Sequence, residues 1–216
     1  RAIHLLWPTV RPEMMRSTHR AWVQKAIRPG NIRTKVAVNT PKERLALTEF
    51  PDVLVVGNIV GVAKAVHQLS MTLVASPEDI LIVASDDMYA PASWDDWVSS
   101  QFDAFDGAII VNDGYNSGAC VTLPIMTFSC AQRLNRVIYH TSYRHQWADA
   151  ELFKNLQELG LLKDLRGSSP LFEHIHWANK KRVKDPHDSR ANDMAAQDEL
   201  NFKQRMTLPI AKRLGV

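Results

Sequence analysis

Along this chain, short apolar runs alternate with segments whose apolar residues recur every third or fourth position. Ala2 to Trp7 has the length and apolarity of a strand and is stopped by Pro8, which cannot donate to a sheet ladder. Arg11 to Lys25 follows as a helix, with Met14, Met15, His19 and Trp22 near helical spacing. Thr34 to Val38 and Asp52 to Val56 are predicted strands, ending on Asn39-Thr40-Pro41 and on Gly57-Asn58. Val62 to Leu73 has a helical pattern. Ile80-Leu81-Ile82-Val83-Ala84 is then a strand, because the run is too short and too β-branched for a helix. Four such strands separated by helices predict a mainly parallel sheet covered on both faces.

The second half is less regular. Ser93 to Ser100 reads as a helix, Gly107 to Asn112 as a strand ending on Asp113-Gly114, and Thr122 to Phe128 as a strand punctuated by Pro124. In Ala148 to Gly160, Leu152, Phe153, Leu156 and Leu159 recur at helical spacing, and Gly160 suits the position just past a helix end. Phe172 to Trp177 is a strand candidate. From Asn179 to Val216 the chain is polar and charged, with a helix expected over Ser189 to Arg205. No repeat or low-complexity segment interrupts this. A single α/β domain is expected: a regular part over about 1–105, a less regular part over about 106–178, and a charged helical extension over about 179–216.

Composition narrows the picture. The 216 residues suffice for one domain with a substantial core, and 45% hydrophobic with 23% charged content is ordinary for a folded soluble chain. No apolar stretch reaches membrane-spanning length and no secretory leader pattern opens the sequence. Cys120 and Cys130 are too few for a disulfide framework and suggest a reducing compartment, hence a cytoplasmic location or one peripheral to a membrane. A net charge of +3 is too mild to imply nucleic-acid binding, although Lys180-Lys181-Arg182-Val183-Lys184 and Lys203 to Arg213 would form a basic face if exposed.

The candidate chemistry begins where the fourth strand stops, on Ser85-Asp86-Asp87. Two carboxylates at the end of a buried strand cost desolvation and repel each other. Ligands bind at that edge of an α/β sheet, and a divalent cation carrying a diphosphate would relieve both costs. Asp also starts turns and caps helices, so a structural role is open. After the first strand, Thr9 offers a hydroxyl and Arg11 a fixed cationic fork for a base edge or diphosphate; a helix N-terminus would account for them equally. Asn39 and Asn58 close strands at the same edge. Gly61 permits close backbone approach and Lys64 can reach an anion at the helix start, without the spacing of a standard phosphate loop. Asp149, in the first turn of the late helix beside Glu151, suits either the helix dipole or a general base. At strand spacing, His174 and His176 share a face, as two metal ligands would. Trp94, Trp97, Tyr115, Tyr143 and Trp147 are candidate stacking surfaces for a sugar ring.

Taken together, Pro8-Thr9-Val10-Arg11, Asn58 to Lys64, Ser85-Asp86-Asp87, Trp147 to Leu152 and His174-Ile175-His176 resemble a GT-A type glycosyltransferase, similar to glycosyltransferase family 2, over Ile3 to about Trp177. Ser85 departs from the commonest acidic motif, where an acid stands first. The resemblance implies a Rossmann-like sheet and a nucleotide-diphosphate-sugar donor, with uridine the commonest base, bound by the half over about 1–105, and an acceptor-binding and catalytic half over about 106–178. It implies Mn²⁺ or Mg²⁺ held by Asp87 and completed by His176 in preference to His174. Asp86 would contact ribose or support the metal, Thr9 and Arg11 the base, and Lys64 the uracil or diphosphate. Asp149 would be the base of an inverting transfer to a glycan, lipid-linked or modified-DNA acceptor. A sugar-nucleotide pyrophosphorylase is disfavoured because Trp7 to Arg16 contains no glycine. A non-catalytic sugar- or nucleic-acid-binding module is the other alternative.

Overall fold

A computed structural model describes residues 1–57 and 61–216 of the chain. Its centre is a seven-stranded sheet in the order β3-β2-β1-β4-β7-β6-β8. The strands are β1 (Ile3–Pro8), β2 (Ile32–Val38), β3 (Val53–Val55), β4 (Ile80–Val83), β6 (Ala108–Ile110), β7 (Ile125–Thr127) and β8 (Leu162–Asp164). β1 pairs in parallel with both β2 and β4, Ile3 lying opposite Ile32 on one side and Ile80 on the other. Only β7 runs against the rest, antiparallel to β4 and β6.

A central strand is buried on both faces, which is why β4 is apolar without alternation. The pleat still sorts its residues. Leu81 and Val83 join Leu6 in a core beneath α3 (Val62–Met71) and α6 (Ala148–Glu158), while Ile80 and Ile82 join Leu5 and Trp7 in a second core. That second core is aromatic. Trp22 of α1 (Pro12–Lys25) meets Trp94 of α4 (Trp94–Gln101) edge-on at 4.8 Å, and the Trp94 indole donates to the Trp22 carbonyl at 2.8 Å.

Three elements differ from the sequence expectation. Phe172 to Trp177 is not a full strand: β9 is Glu173–His174, paired antiparallel with β5 (Met88–Tyr89). The Ile175 amide still donates to the Asp87 carbonyl at 2.7 Å, in register with this pair, before the chain turns at Trp177–Asn179. Thr122 to Phe128 is a strand only over β7, because Thr127 caps α5 (Phe128–Arg133) by accepting from the Cys130 amide. The Ser189 to Arg205 helix is two helices, α7 (Pro186–Asp193) and α8 (Ala195–Arg205), divided beside Asn192 and Asp193, both weak helix formers. The pattern also passed over α2 (Pro41–Leu45), a short helix fixed by a capping box between Thr40 and Glu43, and α9 (Ile210–Arg213).

The charged C-terminal segment is part of the folded body. Arg205 of α8 grips Glu151 of α6 through two bonds of 2.7 Å, Tyr143 adds its hydroxyl to the same carboxylate at 2.6 Å, and Arg213 bonds Asn155 and Glu158. Asp198 accepts the backbone amides of Arg144, His145 and Gln146. The expected basic face is therefore broken up: Arg205 and Arg213 are buried in ion pairs, and Arg182 is drawn inward.

Candidate active site

The carboxyl ends of β1, β2 and β4 open into a cleft of about 940 Å³, whose far wall comes from the start of α6, the residues after β9, and α7. This is the edge where an α/β sheet presents loops rather than covering helices. Thr9, Arg11, Asn39, Gly61, Asp86, Asp87, Asp149, His174 and His176 all line it. Lys64 does not: it stands exposed on α3. Asn58 lies outside the described residues.

The adjacent acids Asp86 and Asp87 are both buried and have different surroundings. Asp86 turns back to the first strand, accepting from the Trp7 indole at 2.9 Å and the Thr9 hydroxyl at 2.8 Å. Burial pushes its carboxyl up to about 7, against the pull of those two donors. Thr9 also accepts the Arg11 amide at 2.9 Å, so one hydroxyl joins the turn after β1 to the acid after β4.

Asp87 faces the late histidines. Ser85 donates to its Oδ1 at 2.5 Å, His174 Nε2 lies 3.5 Å from the same oxygen, and Arg182 Nη2 is 3.4 Å from Oδ2. Burial raises its pKa, but His174 and then Ser85 outweigh that and hold it well below the usual carboxylate range. Asp87, His174 and His176 offer ligand atoms that all lie within 4.8 Å of one another. One carboxylate and two imidazoles suit a transition-metal dication. Asp86, its oxygens taken by Trp7 and Thr9, is not part of this group.

Asp149 sits at the second position of α6, with one carboxylate oxygen on the Ala150 amide. Burial raises its pKa above the ordinary carboxylate value, as a base working nearer neutrality requires. Beside it, Cys120 accepts from Asn116 at 2.6 Å, and burial together with Asp149 and Asp113 pushes the thiol up to about 12. Cys120 is thus a neutral wall of the cleft, without thiolate character.

Other candidates are placed differently from expectation. The guanidinium of Arg11 faces Asp185, just before α7, at 2.9 Å and Asp188, in the first turn of α7, at 3.0 Å, so its charge is already matched. Trp94 and Tyr143 are fully buried packing residues, and Trp97 packs on Phe172; among the proposed stacking surfaces, Tyr115 and Trp147 reach the cleft. Sequence reasoning missed Arg182, Trp177 and Asp113. Nothing in Lys180 to Lys184 marks Arg182 apart from its neighbours, and Trp177 was read only as a strand end. Asp113 carried a usable signal: like Asp86 and Asp87, it is an acid just beyond an apolar strand.

No protein-family model and no curated protein matches this sequence. Solved structures do match. TarS 1–349 from S. aureus in complex with UDP superposes with a TM-score of 0.62 at 9% identity, over 78% of this chain and 59% of that one. A second crystal structure of S. aureus TarS 1–349 gives 0.61 at 11% identity over the same shares. The mannosyltransferase PcManGT from Pyrobaculum calidifontis, in complex with GDP-Man and Mn²⁺, gives 0.54 at 14% identity over 98% of this chain and 73% of its own. The chain thus spans less than two thirds of the TarS structures it matches. At these identities the likeness is one of architecture, and that architecture is the GT-A-type glycosyltransferase fold.

Proposed function

We propose that this chain is a metal-dependent glycosyltransferase that moves a sugar from a nucleotide-diphosphate sugar to an acceptor hydroxyl with inversion. The observation that carries the reading is the convergence of Asp87, His174 and His176 in the cleft that Asp149 also lines. Asp87 and the late histidines would hold the divalent cation, which when bound supplies a Lewis acid for the charge that develops on the departing diphosphate. Two imidazoles beside one carboxylate favour Mn²⁺ over Mg²⁺, which prefers an all-oxygen shell.

The chain's own residues supply the remainder. Asp86, fixed by Trp7 and Thr9, presents a buried rim for the nucleoside, and Asn39 and Gly61 border the same part of the cleft. Asp149 takes the proton of the acceptor hydroxyl as its oxygen bonds to the anomeric carbon. The bond from that carbon to the diphosphate oxygen breaks, and its electron pair leaves with the nucleoside diphosphate. Inversion follows from assigning this step to one acid, Asp149, because a single displacement at the anomeric carbon inverts its configuration. A uridine diphosphate sugar is the first donor to try, and GDP-mannose is the second.

Calorimetric titration with uridine diphosphate, with and without Mn²⁺, tests the reading directly. Metal-dependent binding is the expected result; no binding of any nucleotide would overturn it in favour of a non-catalytic module. A donor-hydrolysis screen across sugar nucleotides then identifies the sugar, and product with retained anomeric configuration would refute inversion.

A further inference from the structure

Two buried polar atoms face each other just behind the candidate metal ligands, and neither has a hydrogen-bond partner among the described residues. They are Oδ2 of Asp113 and Nδ1 of His174, 4.0 Å apart. Asp113 is almost completely buried at 1% exposure, and its other oxygen is fully used, accepting the amides of Tyr115 at 2.9 Å and Asn116 at 2.7 Å. The two residues are also tied through the backbone, where the His174 amide donates to the Asp113 carbonyl at 3.1 Å. A buried carboxylate oxygen without a donor is costly, which favours a partner for it. A small turn of the imidazole would close the gap.

We propose that Asp113 is a positioning residue for the metal centre: its Oδ2 accepts a hydrogen bond from Nδ1–H of His174, so that Nε2 presents a lone pair to a cation held by Asp87. This rests on the metal-dependent reading above and identifies the histidine that reading needs. A carboxylate on the far nitrogen fixes ring orientation and tautomer, and makes the near nitrogen a better donor. Nε2 is the nitrogen that already points at Asp87 Oδ1, 3.5 Å away. His176 is placed less well. Its Nδ1 accepts the Ala178 amide at 3.2 Å, which keeps the proton on Nε2, so it must surrender that bond or that proton to ligate. His174 is therefore the leading nitrogen ligand.

Asp113→Asn separates this role from simple packing. The variant keeps an oxygen for the Tyr115 and Asn116 amides but turns a donor toward His174, forcing the proton onto Nε2. Mn²⁺ titration followed by electron paramagnetic resonance should show affinity falling about 10- to 100-fold, with thermal unfolding little changed. Affinity within twofold of wild type would overturn the proposal. Nitrogen-15 spectra of the wild-type protein loaded with diamagnetic Zn²⁺ give an independent answer: His174 should carry its proton on Nδ1 with Nε2 on the metal, and ligation through Nδ1 overturns the proposal even if Asp113→Asn fails to fold. If the wild-type protein binds neither Mn²⁺ nor Zn²⁺, the metal-dependent function falls and this proposal falls with it, whereas metal binding with the wrong His174 nitrogen overturns this proposal alone.

Discussion

The indole nitrogen of Trp7 donates to Asp86 Oδ1 across 2.9 Å, joining the last turn of the first strand to the acid that follows the fourth. Both residues are buried, so the bond is not exchanged for water on folding without cost. Trp7→Phe should preserve most of the packing and remove only the donor. The expected outcome is a loss of about 1–3 kcal/mol in denaturant unfolding, with weaker nucleotide binding by calorimetry. Unchanged stability and unchanged binding together would show that Thr9 alone suffices to hold Asp86.

Asp87→Ala removes the carboxylate at the centre of the candidate metal group while leaving the β-sheet intact. Divalent-metal-dependent donor turnover should fall about 10³-fold, the scale of a Lewis acid worth several kcal/mol, with an unaltered circular dichroism spectrum. Near wild-type turnover in a steady-state assay would show that the metal sits elsewhere.

In the proposed reaction Asp149 serves as a base only when ionised, and burial has raised its pKa. Activity should therefore disappear as pH falls through a value above that of an ordinary carboxylate. The acid limb of the kcat/KM profile measures it. Asp149→Asn should lower kcat by about 10²- to 10⁴-fold and abolish that limb, with little change in nucleotide affinity. A limb that survives the substitution would belong to another group.

At Gly61 the backbone has φ +112°, and a Cβ there would lie 1.8 Å from the Arg144 carbonyl oxygen. Gly61→Ala must displace the chain at that point, because the obstacle is backbone and not a flexible side chain. Nucleotide affinity should drop at least tenfold by calorimetry, about 1.4 kcal/mol. Binding at the wild-type level would mean that this approach of two backbones does not shape the cleft.

Periodicity reached the β/α core because strands buried on both faces announce themselves: Ile80 to Val83 admits no other reading. The same logic placed Asp86, Asp87, Thr9, Asn39 and Gly61 around one cleft, since residues just past parallel strands gather at one sheet edge. It did not separate Asp86 from Asp87. Their divergence depends on Trp7 and His174, 79 and 87 positions away respectively from the acid each one meets, and no local pattern encodes such pairings. Nor did it find the ends of the C-terminal helices or the inward turn of Arg182. A basic run looks solvated in sequence whether or not acids such as Asp87 and Asp188 wait for it in the fold.

The three amides of Arg144, His145 and Gln146 that close on Asp198 make α8 a brace for one wall of the cleft. Opening that wall therefore means releasing a buried carboxylate from three donors together, so breathing at the mouth and fraying of a distant helix become a single cooperative event. Deuterium uptake at the two places should rise and fall in step, and a molecule lodged in the cleft would tighten the chain far beyond the atoms it touches.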